Sequence, residues 1–482
     1  MRLRSSTCSL TALVCVLAGC SSEMMTTTAT TADSEDTGST TAAATDATTS
    51  EATTAGTTTA GTTDDSSSSD TEDTTTGEPA VTYHRDVRPI LAAHCEECHT
   101  VGKIAPFPLT TYDEVFELRE LVLLNLEGGV MPPWPPAPDC GDYLAEKIVA
   151  QAEIDTVRAW VEDGAAEGDP ADYVPPDVPD IGDDWQADVA LEIPEPYVPI
   201  QKPDDYRCFL LDWPEQETAY VSGFRAVPGE LREVHHVIAF SVAPDKVAEY
   251  EALDAAEEGP GYTCFGGPGG EIVEPDDVGV WLGAWAPGFG AGLYPEGTGL
   301  RMEPGSKVVL QVHYNVPATG PLPDQTRIEF KVEDAVEREA FMLLWADILW
   351  LMGDMHIPAG SPSTVHTWEY DPTVVLGFLT DVIPSATPFE IHVVGHHMHT
   401  LGVRGRSHIV REGGEQQCLL DIPDWDFNWQ GTYMFKAPVP FYPGDRLHVE
   451  CEFDNSKGGG DVNWGDKTTD EMCLGIYYIT EM

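Results

Sequence analysis

From Tyr206 onward the chain is written in short runs of Val, Ile, Phe, Tyr and Trp cut by Gly and Pro. Val234 to Ala243, Lys307 to Val316, Thr326 to Val332, Pro388 to Gly395 and Arg446 to Glu452 read as strands, and no long helical period interrupts them. That texture restricts the region to sheets packed on sheets. About 280 residues is long for one sandwich of ~100 residues, so two in tandem are expected, with the break near residue 340.

Upstream, the chain changes character three times. Arg2, Arg4 and the short apolar stretch Leu10 to Leu17 read as an export signal, residues 1–19, too short to span a bilayer. Leu17-Ala18-Gly19-Cys20 resembles the lipobox of bacterial lipoproteins, which implies acylation of Cys20 and membrane anchoring through that lipid. Ser21 after it points to the outer membrane, on its periplasmic or surface face. Residues 20–79, almost wholly Thr, Ser, Ala, Asp, Glu and Gly, bury no apolar face and read as a disordered tether. Residues 80–169 form a compact segment whose last helix shows in Ile148, Ile154, Val157, Trp160 and Val161, and residues 170–204, rich in Pro and Asp, read as a stiff linker. The chain carries 82 acidic and 25 basic residues with no basic stripe, which argues against a nucleic-acid partner. The acidity reads as a solvated surface, with docking of a cationic partner as the alternative.

Of eleven cysteines, Cys8 and Cys15 lie in the signal and Cys20 takes lipid. Cys95-Glu96-Glu97-Cys98-His99 is the attachment signature of c-type cytochromes: two thiols on one helical turn form thioethers to the haem vinyls while His99 reaches the iron. A thiol redox pair is the rival reading, disfavoured by the lack of a βαβ pattern around it. Met131, in Val130-Met131-Pro132-Pro133-Trp134, is the candidate sixth ligand, in a loop resembling that of small bacterial cytochromes. His84 and His94 compete with it. Cys140, Cys208, Cys264, Cys418, Cys451 and Cys473 remain, an even number in an oxidising compartment, which suggests disulfides without fixing their pairing.

The β region holds three histidine clusters: His235-His236, His313 in Gln311-Val-His-Tyr-Asn315, and His397-Met398-His399 before Thr400-Leu401-Gly402. Residues two apart on a strand share a face, so His397 and His399 can close on one metal while His396 and Met398 point away. The adjacent pair His235-His236 faces opposite sides of a regular strand and needs a twist, bulge or strand end to share an ion. Met472, in Asp470-Glu471-Met472-Cys473, offers a thioether. Imidazole and thioether donors suit copper better than zinc or magnesium.

Residues 205–482 resemble the copper type II, ascorbate-dependent monooxygenases, the family of peptidylglycine alpha-hydroxylating monooxygenase and dopamine beta-monooxygenase. The carriers are the His-His pair, the Val-His-Tyr strand, the His-x-His before Leu-Gly and the terminal Asp-Glu-Met-Cys, all in family order. The resemblance implies two copper ions: an electron-storing copper on His235, His236 and His313, and an oxygen-binding copper on His397, His399 and Met472. It implies two jelly-roll-like sandwiches, residues 205–340 and 341–482, with the coppers facing across a solvent cleft, and a disulfide between Cys451 and Cys473. Gly395, Leu474 and Ile476 stand where the peptide enzyme holds its substrate carboxylate, which argues against peptide amidation and for a more apolar substrate.

The expected architecture is therefore multidomain: a small α-helical cytochrome c domain followed by two all-β jelly-roll-like sandwiches. The expected chemistry is hydroxylation of a C–H bond of a small molecule by dioxygen. Electrons would come from ascorbate or another donor, from a redox partner protein, or from the fused covalent haem passing them to the copper on His235, His236 and His313. The alternative is an exported haem and copper electron-transfer or copper-binding surface lipoprotein without oxygenase activity.

Overall fold

Alternation in sequence becomes alternation in space along Arg446–Phe453, where Leu447, Val449, Cys451 and Phe453 are buried and the residues between them face outward. Lys307–Asn315 instead carries an almost unbroken apolar run and is buried on both faces, as a central strand must be. The computed structural model describes residues 81–101, 105–132, 136–144, 148–176, 185–264, 267–269, 280–286 and 292–482. The stretch read as an export signal, the expected lipidation site Cys20, the Thr/Ser/Asp-rich stretch after it, and Pro133 and Trp134 beside Met131 lie outside the described residues.

The protein is multidomain and largely β, with some helix. A nine-stranded sheet contains, in spatial order, Val189–Glu192, Arg327–Glu333, Ala219–Val227, Thr298–Met302, Arg338–Trp345, Leu474–Glu481, Phe389–His397 and Thr432–Phe441, with the short strand Gly292–Leu293 beside Ala219–Val227. A five-stranded sheet (Tyr262–Thr263, Asp204–Asp212, Lys307–Asn315, Val234–Val242, Val280–Trp285) packs on one half of it through Phe209, Val237 and Leu310 against Val221, Leu300 and Phe330. A four-stranded sheet (Thr364–Tyr370, Arg446–Phe453, Gly402–Val410, Gln416–Ile422) packs on the other half through Ile409, Leu447 and Leu420 against Leu343, Ile391 and Tyr477.

This differs from two separate sandwiches in tandem. The expected break near residue 340 falls inside Arg338–Trp345, which pairs in parallel with Thr298–Leu300 on one edge and antiparallel with Leu474–Glu481 on the other. Backbone pairing thus carries one sheet through both halves, and among the described residues neither half closes into a barrel of its own. The linker also differs from a plain spacer: Val189–Glu192 adds an edge strand against Arg327–Glu333, because Val189 alternates inward to join the core. A ten-residue helix, Val247–Ala256, sits in the β region where no helix was read, seated through the single buried side chain of Tyr250.

Ahead of the sheets, Arg88–His94, Tyr112–Glu127 and Gln151–Glu162 are helices around a core that includes Tyr83, Leu91, Val115, Val157 and Trp160. Thr111 and Glu114 cap the second reciprocally, Glu114 accepting from the Thr111 amide at 3.0 Å. Gly164, with φ 92°, turns the chain after the third. Tyr83 and His84 donate to the carbonyls of Ala166 and Glu167, closing the segment on itself. Residues 136–144 then run as a strap over the second half of the sheets. Cys140 is disulfide-bonded to Cys418, Tyr143 is buried against Phe435, and the amides of Ala137 and Leu144 donate to Asp421 and Met434. The other pairs are Cys208–Cys264 and Cys451–Cys473. Among the described residues no helix is long and apolar enough to cross a membrane.

Candidate metal centre

The pair His235-His236 shares a site by the irregularity its sequence demands. Between Val234 and His236 the pairing of Val234–Val242 with Lys307–Asn315 slips by one residue, a β-bulge that turns consecutive side chains to the same side. Opposite His236 in that register is His313. The three rings meet through one kind of nitrogen, with His236 Nδ1 at 3.4 Å from His235 Nδ1 and 3.4 Å from His313 Nδ1. His313 is turned by Asp204, whose Oδ1 lies 3.0 Å from His313 Nε2 and also accepts from Thr468 Oγ1 at 2.8 Å. Tyr206 stacks flat on His313, centroids 4.1 Å apart.

Burial, then the neighbouring His313 and His397, pushes the His235 imidazole down to about 3; burial and the same crowd of rings drive His236 far below its ordinary value. Burial lowers His313 as well, against the pull of Asp204. Desolvation opposes ionisation of Asp204, but the hydrogen bonds from His313 and Thr468 outweigh it and hold its carboxyl below the usual range. Three buried imidazoles with their Nδ1 atoms crowded together, backed by a carboxylate on the far nitrogen of one, are a cradle for a cation. Among the described residues this trio and Glu369, His408 and His448 are the two groups of three with ligand atoms close enough for one metal.

The second histidine set uses the opposite nitrogen. Gln430 Oε1 lies 2.5 Å from His397 Nδ1, and its amide is oriented by donation from Nε2 to the Phe427 carbonyl at 2.9 Å. His399 Nδ1 lies 3.1 Å from the Asp470 carbonyl. Both Nδ1 atoms thus carry the proton, leaving each Nε2 as the lone-pair donor. The ring centroids are 5.1 Å apart, and burial lowers His397 to about 4 and His399 to about 3. The reason differs from a shared strand face. Phe389–His397 ends at His397, and His399 is held by buried Glu471, whose Oε2 accepts from its amide at 2.8 Å and whose Oε1 accepts from the Leu401 amide. Burial pushes the Glu471 carboxyl up to about 7. Met472 follows Glu471 directly, two residues before Leu474, which is the register partner of His397. Met398 is buried in the core, and His396 bonds Ser407 Oγ at 3.0 Å, so both face away.

The expected cleft between the sets is closed in this structure. The rings of His236 and His397 lie 6.2 Å apart, and Phe427 stacks on His235 at 4.4 Å while meeting His399 edge-on at 5.9 Å. Phe427, Gln430, Asp204 and Glu471 were not singled out from sequence. Glu471 alone gave a signal, its place inside the Asp-Glu-Met-Cys stretch.

Residues 352–482 match the family described as copper type II ascorbate-dependent monooxygenase, C-terminal domain. DBH-like monooxygenase protein 1 of Gallus gallus is 29% identical over 204 residues, covering 40% of this chain and 32% of that protein. Dopamine beta-hydroxylase of Homo sapiens is 26% identical over 313 residues, covering 60% of this chain and 48% of that protein. The chain thus spans between a third and a half of the length of these relatives. Among solved structures, infectious bursal disease virus Gx strain aligns over 62% of this chain at 11% identity and a TM-score of 0.18, too low to carry an argument. The matched stretch, residues 352–482, contains His397, His399 and Met472.

In the helical segment, His99 Nδ1 lies 3.0 Å from the Phe107 carbonyl, which leaves the lone pair on Nε2. Cys95 and Cys98 stand outside the three disulfides. Burial, with Glu96 and Cys98 adding to it, pushes the Cys95 thiol up to about 12, the reverse of an activated redox thiolate. Met131 is 36% exposed, on the turn after Tyr112–Glu127. His84 is buried beside Tyr83, and His94 lies 3.4 Å from Glu153.

Proposed function

We propose that the protein is a copper-dependent monooxygenase that hydroxylates a C–H bond of a small, largely apolar molecule with dioxygen. The observation that carries this reading is the opposed use of ring nitrogens: Nδ1 of His235, His236 and His313 converge on one point, while His397 and His399 offer Nε2. Two differently built cradles suit two ions with different tasks. His235, His236 and His313 would hold the electron-storing copper, and His397, His399 and Met472 the copper that meets oxygen, the soft sulfur favouring the reduced ion. Bound copper supplies one electron per ion, which matches the two electrons a hydroxylation needs.

The chain's own groups do the rest. Asp204 and Gln430 fix the rings, and Phe427 keeps water from the space between the sets. Gly395 leaves no room for a carboxylate-binding side chain. A Cβ there would stand 2.8 Å from Thr432 Cγ2 and 3.0 Å from the Gly431 carbonyl, which supports a substrate other than a peptide acid.

The same reading places a covalent haem on Cys95, Cys98 and His99, with Met131 as sixth ligand, as an internal electron donor in place of ascorbate or a partner protein. It places the whole on an exported lipoprotein anchored through Cys20. Support for the relay comes from the strap of residues 136–144, which ties the helical segment to the second half of the sheets. With His236 and His397 in ring contact, electrons reaching either set are within reach of the other.

Metal and haem analysis followed by an oxygen-uptake screen tests the proposal. Two copper ions and one haem per chain are expected. Met472→Ala should abolish product-coupled oxygen uptake with the haem spectrum kept, and His313→Ala should slow reoxidation of the reduced haem in oxygen. Copper without oxygen uptake on any substrate would leave an electron-transfer lipoprotein instead.

A further inference from the structure

The outer face of the four-stranded sheet carries a row of three chemistry-bearing residues that the reading above does not use. Glu369 pairs with His448 across one strand boundary and His408 pairs with His448 across the next, so the three stand side by side on adjacent strands. Their inward neighbours Leu447, Val449 and Ile409 are buried, which turns the trio outward. One ligand atom from each lies within 4.8 Å of the others. His448 Nδ1 is 3.1 Å from Glu369 Oε2, and the imidazoles of His408 and His448 stack at 4.1 Å. His408 Nε2 and His448 Nε2 are both buried with no hydrogen-bond partner among the described residues. The nearest acid to His448 Nε2 is Glu450 Oε2, at 3.8 Å.

We propose that Glu369, His408 and His448 form a third metal site, distinct from both histidine sets of the candidate centre, that takes one borderline divalent cation, Zn²⁺ in the first instance. Two imidazoles and one carboxylate, partly open to solvent, are a donor set that zinc accepts with water completing the shell. The surrounding charge leaves room for the ion. Arg446 occupies only Glu369 Oε1, at 2.6 Å, and Arg406 is engaged by Glu450 at 3.1 Å, so each guanidinium is already paired with an acid. The site is set apart from the copper ligands by the sheet itself. On the same strand, Ser407 faces inward to His396 while His408 faces out. An ion here would pin Thr364–Tyr370, Arg446–Phe453 and Gly402–Val410 at their present register. The proposal does not depend on copper at the other sets.

The test uses the full-length protein loaded with copper, freed of excess by dialysis, analysed for metal and then titrated calorimetrically with ZnCl₂. Imidazole sites prefer copper to zinc, so zinc taken up beyond the copper complement reports a separate site. One equivalent of Zn²⁺ is expected, with a rise in melting temperature. Its affinity should fall at least ~10-fold in both Glu369→Gln and His448→Gln, with oxygen uptake unchanged. A third copper bound by the parent and lost in those variants would equally support the site. The idea fails if no metal binds beyond the two histidine sets, or if both variants bind zinc as the parent does. His408→Gln, compared with the others by metal-free melting temperature, separates loss of a ligand from loss of fold.

Discussion

At the scale of single residues, the candidate centre depends on groups that would never touch a metal. Asp204 decides which nitrogen of His313 faces its neighbours. In Asp204→Asn the amide holds the ring less firmly and removes the charge behind it. Copper affinity at the first set should fall about 10–100-fold while the second set keeps its ion, read by copper titration of each variant. Five residues before His397 on the same strand, His392 is buried and its Nε2 lies 2.9 Å from Thr480 Oγ1. Burial, with Arg338 adding to it and Glu390 opposing, lowers it to about 4. The unfolded chain binds that proton from about pH 6.5 downward, the folded chain only near pH 4, so the stabilisation is complete above 6.5 and is lost as pH falls to 4. Roughly 3 kcal/mol is at stake. Denaturant titrations across that window should show a shallower acid slope in His392→Gln, and an unchanged slope would remove His392 from the account.

At the scale of elements, the five strands named from short apolar runs cut by Gly and Pro all exist, with ends shifted by at most two residues. Their legibility came from runs of β-branched and aromatic residues bounded by Gly and Pro; of the five, Arg446–Phe453 shows the cleanest period-two burial. The helix Val247–Ala256 was not legible, because a short helix resting on one buried tyrosine needs no full apolar stripe; its run of Ala and Glu without Gly or Pro was the available signal. The candidate ligand positions are legible as motifs. How they converge is not, since a bulge at His235 and a strand end at His397 are backbone irregularities that hydrophobic period does not encode. His408 and His448 were passed over because each is an isolated histidine in sequence and only sheet register makes them neighbours. Register also explains the glycine opposite Ile476. Gly395→Val should cost about 1–3 kcal/mol through collision with Thr432 and the Gly431 carbonyl, seen as a lower melting temperature even without metal.

At the scale of the whole molecule, two ties hold the parts in place: the disulfide from the strap to Gln416–Ile422 and the long sheet. The Cys140–Cys418 bond joins residues 278 apart in sequence. Its loss in Cys140→Ser/Cys418→Ser should cost roughly 2–4 kcal/mol and open residues 136–144 to protease, with the sheets' own resistance intact. The same double variant should slow haem-to-copper electron transfer if the relay runs through this tie. The long sheet has a different effect. Moving the two halves apart as rigid bodies, each with its histidine set, would require breaking the main-chain ladder between Thr298–Leu300 and Arg338–Ala340, not flexing a linker. For the proposed enzyme, the spacing of the two histidine sets would then be written into strand pairing and sheet packing, and a reactant would gain access by displacing side chains such as Phe427, so that loop mutations would alter what is oxidised without retuning how far the electron has to jump.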